Sequence, residues 1–153
     1  IADGWLPLYY SPFRQDVYAD YLKDAKPGFE VTAMANITIT DDIEAGLYPV
    51  KAALGYYIGG MGAKGKNYHT NHMARMGYEN EAYRIQDLFF EGRADEAVGE
   101  VPVEFADEIS LVGTPARIAD RVAAWKESAV TEILIHAGSP ELLRQAAEIV
   151  LPA

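Results

Sequence analysis

Hydrophobic positions along this chain alternate between a period of two and a period near 3.6, and each change of period marks a predicted element. Asp3 to Tyr10 (DGWLPLYY) is aromatic and apolar and reads as a strand. Ser11-Pro12 then starts a predicted helix carrying Val17, Tyr18, Tyr21 and Leu22 at helical spacing. After Lys26-Pro27-Gly28, the β-branched, partly alternating stretch Glu30 to Thr40 predicts a second strand. Thr40-Asp41-Asp42 caps a predicted helix whose apolar stripe is Ile43, Leu47, Val50, Leu54, Tyr57, Ile58 and Met61, with a kink or restart expected at Pro49. From Tyr68 to Val98 the pattern is helical, with breaks expected around Gly77 and Gly92.

Towards the C-terminus the signals sharpen. Ser110 to Val112 is β-prone, and Thr114-Pro115 places a hydroxyl cap before a first-turn proline ahead of Ile118, Val122 and Trp125. Thr131 to Ala137 (TEILIHA) reads as a fully buried strand, and Ser139-Pro140 caps a last helix carrying Leu142, Leu143, Ala146, Ile149 and Val150. Strands alternating with helices predict a parallel α/β fold, either doubly wound or part of a barrel, in a single domain.

Composition narrows the function classes. The 153 residues include no cysteine, which removes disulfides, thiolate metal sites and thiol nucleophiles. A net charge of −10 argues against nucleic acid and anionic membrane as partners. No apolar run reaches the length of a membrane span, and no basic-then-apolar leader opens the chain, so a cytoplasmic location is expected. The chain opens with Ile1 rather than Met, and Trp5 to Tyr10 already looks like a strand, which predicts the back portion of a longer protein.

The stretch Gly59 to Asn67 (GGMGAKGKN) fits two phosphate-loop patterns: Gly60, Gly62 and Gly65 as G-x-G-x-x-G, and Gly60, Gly65 and Lys66 as G-x-x-x-x-G-K with Asn67 in place of Ser or Thr. Both patterns need a preceding strand, whereas Ile43 to Ile58 is helical. The favoured reading is a helix end, with Gly59 or Gly60 left-handed, followed by a flexible turn. Lys64, Lys66 and Arg75 then form a local cationic group, either for an anionic ligand or as a solvated surface loop. His69 and His72 are spaced for one helix face but lack the third ligand of a zinc site, so no metal is expected. His136, in an apolar strand, reads either as a packed core histidine or as a proton donor near a strand end. Tyr9 and Tyr10 alternate around a strand end, so at most one is expected to face the pocket while the other packs under helices.

Several stretches together carry a resemblance: IADGWLP, the strand VTAMANITITDD, YIGGMGAKGKN, SLVGTPARIADRVAAW and TEILIHA. The chain resembles the luciferase-like flavin and deazaflavin oxidoreductases over essentially its whole length, and most of all their coenzyme F420-dependent branch. The resemblance implies the C-terminal part of a TIM (β/α)8 barrel, with Asp3 to Leu8 as strand six, Glu30 to Thr40 as strand seven, Glu132 to His136 as strand eight, and a helical insertion over about 41–108. It implies hydride transfer between F420 (FMN being the alternative) and a small carbonyl or unsaturated substrate, with the first five strands and their cofactor contacts outside this chain. Leu8, Tyr9 and Tyr10 would then bind substrate, His136 would serve catalysis, and Lys64, Lys66 and Arg75 would hold a substrate or cofactor anion. The Leu8-Tyr9-Tyr10-Ser11 run departs from the Thr and Lys of the sugar-phosphate dehydrogenase branch, which argues against glucose 6-phosphate. Ser128-Ala129-Val130 lacks the glycine the family usually has before strand eight. An open barrel edge calls for a homo-oligomer or the missing N-terminal part; the rival from another class is an inert half-barrel or assembly module.

Overall fold

The computed structural model describes residues 2–151. Packing divides the chain into two compact units, unit 1 comprising Ile1–Gly46 with Asp107–Ala153 and unit 2 comprising Leu47–Ala106.

Unit 1 is built on a parallel sheet with β2 (Glu30–Ile39) as its hub. β1 (Gly4–Trp5) pairs with its start, Gly4 opposite Glu30, and β3 (Ser110–Gly113) pairs with its end, Ile39 opposite Gly113. β4 (Glu132–His136) runs alongside from Thr32–Glu132 to Asn36–His136. Asn36 pairs with both Ser110 and His136, so β3 and β4 flank β2 on opposite edges there. The segments at the start of the chain, near residue 35 and near residue 134 therefore lie side by side and run the same way.

Alternation along β2 sends Val31, Ala33, Ala35 and Ile37 to a buried face. There Ala33, Ala35 and Ile37 meet Tyr18 of α1 (Asp16–Leu22), Ile118, Val122 and Trp125 of α7 (Pro115–Lys126) and Ala146 of α8 (Pro140–Val150) in one core. Small side chains at 33 and 35 leave room for the rings: Tyr10 stacks on Tyr18 at 4.5 Å, and Trp125 lies 6.0 Å from Tyr10. The other face of β2 and β4 is uncovered. Met34 is 49% and Leu134 51% exposed, and Ile133 and Ile135 are only partly buried, so TEILIHA is half-covered on one side and not buried on both as its apolar run suggests.

The helix starts follow their caps. Thr114 accepts from Arg117 N–H at 3.3 Å, Ser139 from Leu142 N–H at 3.1 Å and Asp42 from Ala45 N–H at 3.0 Å. At the end of α7, Ser128 does the work of the absent glycine: its hydroxyl donates to Trp125 O at 2.7 Å and accepts from Val130 N–H at 3.2 Å. Two expectations at the start of the chain change. The first strand is two residues long, because the chain leaves the sheet at Leu6-Pro7 and turns through Tyr9 at a φ of 50°. The helix predicted from Ser11-Pro12 begins only at Asp16.

Among the described residues, unit 2 is helical throughout. It holds all but the first turn of α2 (Ile43–Gly60), then α3 (Tyr68–Met73), a π-helical turn at Ala74–Tyr78, α4 (Glu79–Phe90), α5 (Ala94–Gly99) and the start of α6 (Val103–Glu108). Gly77, at a φ of 92°, breaks the helix between α3 and α4, and Gly92, at 77°, separates α4 from α5. α2 runs on through Pro49 without a restart. Pro49 and Ala45, whose carbonyl loses its helical partner, both lie on the exposed side of the helix, open to solvent. α2 is apolar on both sides: Leu47, Val50, Leu54 and Ile58 are buried, while Tyr57 and Met61 of the predicted stripe are 41% and 50% exposed. No helix among the described residues is long and apolar enough to cross a membrane.

Candidate functional site

In unit 1 the chemistry-bearing side chains share the uncovered face of the sheet. Register forms three rungs across β2 and β4: Thr32 with Glu132, Met34 with Leu134, and Asn36 with His136. The first is hydrogen-bonded, the Thr32 hydroxyl donating to Glu132 at 3.2 Å. The last stands at the trailing end of β4 and in the second half of β2, three residues before its end, with Asn36 and His136 exposed. His136 is thus not a core histidine: strand parity turns it away from the Ile133 and Ile135 side. Its neighbour Asn36 escaped the sequence reading, although a polar residue in phase with Thr32 and Thr38, and out of phase with Ala33, Ala35 and Ile37, is the signal of a group on the uncovered face of a half-covered strand.

Leu8, Tyr9 and Tyr10 lie in the turn after β1, so strand alternation does not govern them. Tyr10 is 1% exposed and belongs to the core; Leu8 and Tyr9 are half-buried. As a substrate contact Tyr10 is therefore corrected to a supporting ring. Tyr18 fixes this turn, its hydroxyl accepting from Ser11 N–H at 3.0 Å and donating to Tyr9 O at 3.2 Å. Burial pushes the Tyr18 phenol well above its ordinary value, so it remains a donor. Glu108, also in unit 1, holds the same turn, accepting from the Ser11 hydroxyl at 3.0 Å and from Arg14 at 2.6 and 2.9 Å.

In unit 2 the glycine-rich stretch is an ordered joint between two helices. Gly59 and Gly60 are not left-handed caps; they lie inside α2, where added Cβ atoms would stand 2.6 and 2.5 Å from Phe89. The left-handed residue is Gly65, at a φ of 75°. Asn67, at the Ser/Thr position of the phosphate-loop pattern, is 1% exposed. Its amide donates to Tyr57 O at 3.0 Å and Ile58 O at 2.8 Å, ending α2, while its oxygen accepts from His69 N–H at 2.9 Å, starting α3. The Thr70 hydroxyl donates to Ile58 O at 2.6 Å and accepts from Gln86 at 3.1 Å, and Gln86 accepts from Gly65 N–H at 3.4 Å. With the loop's polar groups committed in this way, a nucleotide-phosphate cradle is not what the glycines build.

The three cations differ in availability. Lys64 pairs with Asp87 at 2.5 Å, whereas Lys66 is exposed and makes no ion pair among the described residues. Arg75 lies 5.8 Å from the Tyr68 ring centre and donates to His72 at 3.5 Å. It also lines an open cavity of about 330 Å³ with Asn71, Ala74, Glu79 and Tyr83. His72 is buried and stacks on Tyr68 at 5.8 Å, and His69 packs on Tyr57 at 5.1 Å with its imidazole held below the ordinary range by burial. Among the described residues no group of three His, Cys, Asp or Glu side chains could hold a metal.

Comparison with known proteins gives this geometry a context. Residues 1–132 match the sequence profile of the luciferase-like monooxygenases. A Mycobacterium tuberculosis protein, provisionally named a coenzyme F420-dependent oxidoreductase, is 38% identical over 159 aligned positions, covering 98% of this chain and 46% of that protein. Among solved structures, the coenzyme F420-dependent tetrahydromethanopterin reductase of Methanopyrus kandleri superposes with a TM-score of 0.59 at 17% identity, covering 98% of this chain and 43% of that one. The second likeness speaks for the parallel α/β fold, and in both cases the chain spans less than half the length of the protein it matches. By the profile match and the identity to its relative, the chain belongs to the luciferase-like monooxygenase family.

Proposed function

We propose that this chain is the C-terminal portion of an F420-dependent oxidoreductase, a cytoplasmic enzyme acting on a small carbonyl or unsaturated substrate. The observation that carries the proposal is the 38% identity, along 98% of the chain, to a relative named for F420. The geometry supports it. In a parallel α/β barrel the site lies at the trailing ends of the strands, and His136 ends β4, beside Asn36 in the second half of β2. β1, β2 and β4 correspond on this reading to strands six, seven and eight, and unit 2 to the insertion before the last strand. The uncovered face with Met34 and Leu134 awaits the N-terminal part of the same protein or a second copy.

Bound F420 supplies or accepts the hydride. The chain's own residues do the rest. His136 holds or delivers the proton at the substrate oxygen. Leu8 and Tyr9 form the substrate wall, with Tyr10 and Tyr18 as the rigid backing of that turn. Lys66, Arg75 and Lys64 neutralise an anion of the substrate or the acidic tail of the cofactor; exposed lysine and guanidinium groups in an otherwise acidic chain fit such a group.

Titration of the purified full-length protein with F420 and with FMN tests the proposal. F420 is expected to bind and FMN not. Binding of FMN alone would replace the assignment with a flavin monooxygenase, and binding of neither would favour an inert module. In the F420-binding protein, His136→Ala is expected to lower kcat by about 10²–10⁴ with little change in F420 affinity.

A further inference from the structure

From Ala45 through Tyr78 the chain has no Asp or Glu, although it carries 23 acids in all, and this stretch holds Lys51, Lys64, Lys66 and Arg75. A solvated helical surface mixes charges of both signs, commonly as pairs one turn apart. Here rings stand in their place. Tyr56 meets Phe89 at 5.9 Å and Tyr57 at 5.8 Å; Tyr57 lies 5.1 Å from His69, His69 6.0 Å from Tyr68, and Tyr68 stacks on His72. Tyr56 and Tyr68 are each 55% exposed and Tyr57 41%, which is more open aromatic surface than a helix joint needs. The loop that carries Lys64 and Lys66 joins the two helices bearing these rings, and Arg75 sits against the Tyr68 ring.

We infer that this strip of rings is a binding site within unit 2 for an anion with a planar aromatic or conjugated body. The inference goes beyond the oxidoreductase reading and decides which anion the cations serve. A flexible polycarboxylate tail needs cations alone and gains nothing from a run of exposed rings. A planar anion uses both, its body lying on tyrosine faces and its charge meeting lysine or guanidinium. Because burial lowers the His69 imidazole, that ring is neutral at pH 7 and the strip's charge resides on Lys66, Arg75 and Lys64. Lys66, without the Asp87 partner that holds Lys64, carries most of the recognition.

Calorimetric titration of the full-length protein with 2-naphthoate, 2-naphthamide and hexanoate tests this, with F420 titrated separately. Naphthoate is expected to bind about tenfold more tightly than either of the others, the size of one charge-assisted contact or one stacked ring. Lys66→Ala should erase the preference for naphthoate over naphthamide, and Tyr68→Leu the preference for naphthoate over hexanoate, while the F420 dissociation constant stays unchanged in both. Naphthamide binding as tightly as naphthoate overturns the inference, as does failure of all three probes to bind. Weakening of F420 rather than of naphthoate by Lys66→Ala assigns the cations to the cofactor and also overturns it. Wild-type protein that shows the naphthoate preferences but takes no F420 leaves the anion site standing and removes the oxidoreductase reading instead.

Discussion

Two helix starts in this protein, at Thr114 and at Asn67, do the same local job with different reach. Thr114 accepts one N–H from three residues ahead, with Pro115 at the first helical position. Asn67 accepts from His69 N–H and also donates to two carbonyls at the end of the preceding helix, so one buried amide both ends α2 and begins α3. The difference teaches why this position is asparagine where a phosphate loop has Ser or Thr. A hydroxyl has a single donor and a carboxylate has none, while the amide offers two donors and an acceptor at once.

Substitution separates the two caps most sharply. Asn67→Asp keeps the acceptor but points a buried charge at two carbonyl oxygens and is expected to cost roughly 3–5 kcal/mol, or to unfold the loop outright. Asn67→Ala should cost about 2–3 kcal/mol, against about 1 kcal/mol for Thr114→Ala. Urea denaturation of the three variants checks the order; equal losses at Asn67→Ala and Thr114→Ala would mean that the bonds across the loop contribute nothing.

A second contrast lies between glycines. By helix propensity alone, alanine in place of either Gly59 or Gly99 should stabilise by up to about 1 kcal/mol. At Gly59, however, the new Cβ would lie 2.6 Å from the Cβ of Phe89, whereas nothing lies within 4 Å at Gly99. Gly59→Ala is therefore expected to destabilise by about 1–3 kcal/mol through overpacking of α2 against α4, and Gly99→Ala to be neutral or stabilising. Combining Gly59→Ala with Phe89→Ala, measured by thermal melting, should recover part of the loss; a loss that persists in full would place the strain elsewhere.

These contrasts also mark where sequence reading works. Thr114, Ser139 and Asp42 were legible as caps because their bonds close within three residues, β2 because β-branched alternation is a local pattern, and β4 because a short apolar run between turn residues is one too. Asn67 was not legible, since the groups that select it, the carbonyls of Tyr57 and Ile58, lie about ten residues back and become its partners only once the loop has folded. The same holds for Gly59 and Gly60, which read as caps but are set by a ring from α4, and for Tyr10, whose stacking on Tyr18 no period predicts. TEILIHA read as buried on both sides because an apolar run reports hydrophobicity and not which face finds a neighbour. Of the candidate site, His136 and the cations stood out as residue types, while Asn36 needed the register to be seen beside His136.

The smallest effect expected concerns His69, and it separates the aromatic strip of unit 2 from an ordinary solvated surface. Burial lowers its imidazole below the ordinary 6.5, so the folded state disfavours protonation. Between the folded and unfolded values the unfolded chain binds more protons, and stability therefore rises with pH across that window. His69's contribution is fully present above 6.5 and is lost as the pH falls through the lower, folded value. His69→Phe keeps a ring against Tyr57 and Tyr68 but removes the titration, so urea midpoints measured from neutral towards acid pH should fall less steeply in the variant than in the wild type. Parallel curves would show that His69 is as well hydrated as a surface histidine, and the ring strip would then be an open surface with no desolvated interior to hold a ligand.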